Sequence, residues 1–107
     1  MSTAPKAEIL NLSEMVSYQT GSVVSRQITK ADSGNVTLFA FDEGQELSEH
    51  TAPFDALVQV VEGEAEIIIS GKSFHLKSGD AIIMPANDPH AVKALGQFKM
   101  LLTMIRA

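Results

Sequence analysis

The chain has 107 residues, 45% of them hydrophobic and 20% charged, the size and composition of one domain with one buried core. Eight basic residues against thirteen acidic ones give a formal charge of −5 without any basic cluster, which argues against a nucleic-acid partner. With no Cys, disulfides, thiolate metal sites and cysteine nucleophiles are excluded, so a metal would need His, carboxylate or amide ligands.

No run approaches the ~18 apolar residues of a membrane helix, and Met1–Ala7 has no apolar core of a secretory signal. The expectation is a cytoplasmic protein with no membrane partner. Residues 1–7 read as a flexible tail and residues 8–107 as a single domain.

In chain order, Glu8–Tyr18 is expected to form a short strand with one helical turn. Ser22–Lys30 and Asn35–Asp42 read as strands joined by turn chemistry at Ala31-Asp32-Ser33-Gly34. After Gly44, Glu46–His50 leads to a corner at Thr51-Ala52-Pro53. Leu57–Val61 and Ala65–Ser70 meet at Gly63, and Ser73–Lys77 and Ala81–Met84 meet at Ser78-Gly79-Asp80. Pro85 and Pro89 bound a loop, because neither can donate to a ladder, and His90–Leu95 and Phe98–Ile105 close the chain. About ten short strands with turn signals between them predict an all-β sandwich or closed barrel.

From Gly44 onward the spacing resembles the two signature motifs of the cupin family. In G-x5-H-x-H-x3/4-E-x6-G, Gly44, His50 and Gly63 stand in register. In G-x5-P-x-G-x2-H-x3-N, Gly79, Pro85 and His90 do so. The resemblance covers Gly44–Ala94 and implies an all-β cupin jelly-roll barrel, the double-stranded β-helix, in which His90 faces His50 across the interior. It also implies a metal held by two motif-one histidines, the motif-one glutamate and the motif-two histidine. This chain departs there: Ala52 replaces the second histidine and Ala56 the glutamate, while Asn87 and Ala94 replace the motif-two glycine and asparagine.

His50 and His90 are therefore the candidate ligand-binding groups, with Ala52 and Ala56 beside them. The same two histidines are an incomplete ligand set for a divalent transition metal such as Zn, Ni, Fe or Mn, since a catalytic metal usually keeps three protein ligands. Gln59 alternates with Leu57 and Val61 onto the opposite face, and His75 alternates outward beside Ser73 and Lys77. Asp55, one residue from the glutamate position, would enter the site only if the register slipped. Phe39, Phe41, Phe98, Met100 and Met104 read as core or interface.

Three functions stay open at this point: a small-molecule binder with the histidines as its polar groups, a metal-dependent oxygenase or isomerase, and a non-catalytic sensor or interaction module. No catalytic residue can be assigned, and fold alone does not choose among these functions. Finally, Phe98–Ile105 and Ile67-Ile68-Ile69 are apolar on both faces, whereas one barrel has one interior. A homodimer built on the outer faces is expected.

Overall fold

The computed structural model describes residues 3–106. Nine strands form two antiparallel sheets. They are β1 (Val23–Ala31), β2 (Gly34–Phe41), β3 (Glu46–His50), β4 (Asp55–Glu62), β5 (Glu64–Ile69), β6 (Lys72–Lys77), β7 (Ala81–Met84), β8 (His90–Ala94) and β9 (Phe98–Ile105). The larger sheet runs β1-β2-β9-β4-β7 and the smaller β3-β8-β5-β6, and their inner faces enclose the main core. Phe41, Val58, Ile67, Phe98 and Met100 are fully buried there, and Phe41 stacks on Phe98 with ring centroids 4.5 Å apart.

Gly63 does not close a hairpin, because β4 and β5 lie in different sheets. The chain turns a corner there at φ +79°, a region that favours glycine. A Cβ at this point would stand 2.3 Å from the Gln97 carbonyl oxygen and 2.7 Å from the Phe98 Cβ. Gly63 is thus required both by its backbone conformation and by the closeness of β9.

Glu8–Tyr18 is not a strand: it contains one 3-10 turn at Leu12–Glu14 and joins no sheet. Leu12, Met15 and Val16 keep the i, i+3, i+4 spacing of a helix, yet only one 3-10 turn forms there, and Tyr18 falls outside that spacing. As a strap instead, they pack on the outer face of the larger sheet against Leu38, Ala40, Val61 and Leu101, making a second small core. Of the tail expected to be flexible, Met1 and Ser2 lie outside the described residues, while Ala4 is buried and donates its N–H to the Ile28 carbonyl at 2.9 Å.

The strap also covers charge. Lys99, on the outer face of β9, is buried: it donates to the Ser13 carbonyl, lies 3.5 Å from a Glu62 carboxylate oxygen and sits 4.9 Å from the centre of the Tyr18 ring. The Tyr18 hydroxyl donates to Glu62 at 2.7 Å. These bonds hold Glu62 below the usual carboxylate range, the Tyr18 hydroxyl contributing most, and burial with the Glu62 contact pushes the Tyr18 hydroxyl up.

The outer faces therefore differ from the sequence expectation. On the smaller sheet only Ile68 of the isoleucine run points outward, opposite Ser73 and Ala91, so that sheet needs no cover. On the larger sheet the strap supplies part of the cover assigned above to a second subunit. What stays open is a strip of Leu57, Ile83 and Ile105, with Ile83 and Ile105 about 60% exposed.

Candidate functional site

The polar end of the barrel interior is built by one irregularity. β3 pairs with β8 as Glu46↔Lys93 and Leu47↔Val92, then shifts register so that His50 pairs with His90. Without the extra residue Glu49 would oppose His90, and His50, three residues from the inward Leu47, would face outward. The bulge re-aims His50 into the barrel, a recurrent use of bulges beside functional sites. His90 opens β8 directly after Pro89 and is 4% exposed. Asn87, standing at the motif glycine, adopts φ +68°, a conformation Asn tolerates better than most side chains.

The two imidazoles meet edge to face, with ring centroids 4.4 Å apart and Nε2 to Nε2 at 3.1 Å. His50 Nδ1 lies 2.7 Å from the Ser48 carbonyl oxygen, and His90 Nδ1 lies 3.2 Å from that of Asp88. A carbonyl oxygen only accepts, so each Nδ1 must carry a proton. The Nε2 pair needs one more. Three contacts need three protons, and two neutral imidazoles bring two. In the neutral pair both Nε2 atoms then carry a lone pair, 3.1 Å apart, and are open to one proton-donating group. Burial and the His50 charge hold His90 below the usual imidazole range, which disfavours a fully protonated pair.

Beside this pair lies a cavity of about 290 Å³ lined by His50, Ala52, Ala56 and His90 together with an apolar wall that includes Phe39, Leu47 and Met84. All four residues singled out from the sequence are thus brought together. The wall also takes in Phe39, Met100 and Met104, which the sequence suggested as core or interface, since an inward residue of a barrel can serve packing and cavity alike. Gln59 is exposed on the outer face, and His75 is exposed and paired with Glu64 at 2.6 Å. Asp55 accepts from the Ala86 N–H at 2.8 Å outside the cavity, so the register holds.

The family model for the cupin domain matches residues 37–106. The chain belongs to the cupin family. Among solved structures, this cupin is similar to a conserved protein of unknown function from Streptococcus pyogenes, at 34% identity and TM-score 0.91 over 100% of this chain and 96% of that one. A cupin superfamily protein from Desulfitobacterium hafniense matches at 27% identity and TM-score 0.91, covering 99% and 97% of the two chains. A polyketide synthase CurC of Streptomyces cyaneus is 31% identical over 67 residues, 62% of this chain but only 44% of that protein's length.

The divalent metal associated with cupins does not fit these residues. The 3.1 Å nitrogen separation would suit one cation, with metal–nitrogen bonds of ~2.0–2.1 Å subtending roughly 95–100°. The remaining positions are methyl groups of Ala52 and Ala56, and no group of three His, Cys, Asp or Glu side chains is gathered among the described residues. No carboxylate lines the cavity to balance a double charge.

Proposed function

We propose that this cupin binds a small, mainly apolar organic molecule in the barrel, held by an O–H or N–H that the ligand directs at the His50–His90 pair. The observation that carries this reading is the approach of the two Nε2 atoms to 3.1 Å at the wall of an otherwise apolar cavity. A pocket of that kind, largely apolar with few convergent polar groups, is the usual form of a small-ligand site. The limited likeness to a polyketide synthase is compatible with an oxygenated carbon skeleton as ligand. A ligand donor would supply the third proton without charging a buried ring.

The test uses metal-free protein with phenol as probe and anisole, its methyl ether, as control. Phenol is expected to shift the side-chain nitrogen resonances of His50 and His90 and to raise the melting temperature more than anisole. The H50A/H90A variant should bind both alike. Equal binding of phenol and anisole by the native protein would refute the role of the pair.

A further inference from the structure

We infer that the ligand of this barrel is an organic acid, its carboxylate taken by Lys30 and Arg106 at the rim while its apolar body enters the cavity. The inference rests on the reading that the cavity is the ligand site. Strand register carries it. Met84, Ala56, Met104, Asn35 and Lys30 are direct cross-strand partners in one row, from β7 through β4, β9 and β2 to β1. Directly paired residues share one sheet face. The first three line the cavity, so Asn35 and Lys30 continue the same inner face beyond it. The neighbouring row changes in the same way: Val58 and Leu102 are apolar, Thr37 and Gln27 polar. Lys30 reaches this face only because β1 shifts register between Gln27 and Thr29. Three residues after Gln27, it would otherwise point to the opposite side. A second irregularity thus does for Lys30 what the β3 bulge does for His50.

The cations converge there. Gln27, Lys30, Asn35 and Arg106 line one cleft of about 520 Å³, with Asp32 the one carboxylate in its lining. Among the described residues neither Lys30 nor Arg106 has a carboxylate oxygen within 4.0 Å, so both charges are available to a ligand. Arg106 follows Ile105, the partner of Asp55, and its guanidinium lies 5.5 Å from the centre of the Phe54 ring. Phe54 stands midway in sequence between Ala52 and Ala56, both cavity residues. Backbone spacing sets the scale: from Met104, Arg106 is two residues along the chain, ~7 Å, and Lys30 two strands across, ~10 Å. A guanidinium resting on a ring is preorganised for the two oxygens of a carboxylate, and Lys30 adds a point charge. The chain as a whole, at −5, repels anions, so a preference for one must come from local cations.

Metal-free protein is titrated at neutral pH with 3-(4-hydroxyphenyl)propionate and with its methyl ester, a probe of the same skeleton without the charge. The acid is expected to bind at least ~10-fold more tightly than the ester, the scale of a hydrogen bond to a charged group. It should also shift the ring resonances of His50 and His90. The K30Q/R106Q variant, altered at two exposed side chains, should bind the ester as the native protein does and lose the preference for the acid. Added salt should narrow that preference in the native protein, because exposed charges are screened. Equal binding of acid and ester, an undiminished preference in K30Q/R106Q, or acid binding that leaves both histidine resonances unmoved would overturn the inference. H50A/H90A should lose the preference for phenol over anisole and keep that for acid over ester, so either reading can fail alone.

Discussion

Gly63 and Gly44 form a matched pair of perturbations, since both stand at φ +79° but in different surroundings. Around Gly44 nothing lies within 4 Å of an added Cβ, whereas at Gly63 that atom would overlap the Gln97 carbonyl and the Phe98 backbone at 2.3–2.8 Å. Gly44→Ala thus measures the left-handed backbone alone. That strain costs about 1–2 kcal/mol, of which about 0.4–1 kcal/mol is returned by the stiffer unfolded chain. Gly63→Ala carries the same contribution and must also push β9 away, displacing Phe98 from its stack on Phe41. Overpacking of that kind adds about 1–3 kcal/mol, against a total stability on the order of 5–15 kcal/mol. Urea unfolding followed by circular dichroism should place Gly63→Ala about 2 kcal/mol below Gly44→Ala, with unchanged slopes. Equal midpoints for the two variants would refute the claim that β9 presses on the corner.

Acid should loosen the strap. Because Glu62 is held below the ordinary carboxylate range, its contribution is present above that range and is lost as pH falls through it. Glu62→Gln is expected to flatten the fall in stability between about pH 5 and pH 3 in thermal melts, and an unchanged slope would remove Glu62 from the account. We also propose a homodimer through Leu57, Ile83 and Ile105 on the uncovered part of the larger sheet. Sedimentation at micromolar concentration should show twice 11.5 kDa for the native chain and 11.5 kDa for Ile83→Glu, and a monomeric native protein would refute it.

The barrel was legible because its turns are written in residue types: Gly63, Gly79, Pro85 and Pro89 punctuate short apolar runs, and two-residue alternation then gives the inner faces. His50, His90, Ala52 and Ala56, which motif spacing singled out, line one cavity. Plain alternation along β3, however, would have turned His50 outward from Leu47, and no local residue type announces the bulge that corrects it. The burial of Lys99 was hidden for a different reason. Its strand face could be read, but its cover comes from Ser13 and Tyr18, far away in sequence and in no regular element. Met104 was visible as core or interface, yet its position beside Met84 across Ala56 depends on three strands meeting in one row.

The place of β9 bears on how the chain reaches this state. The last strand in sequence lies between β2 and β4, near the middle of the larger sheet. During synthesis β2 and β4 must therefore wait for it with unpaired edges, the condition under which strands find wrong partners. The N-terminal strap waits too, since Ser13 and Lys99 are 86 residues apart and their contact forms only after β9 is in place. Long-range pairing of this kind is slow to nucleate. Removing residues 98–107 would withdraw a central strand, and with it the surface on which the beginning of the chain rests.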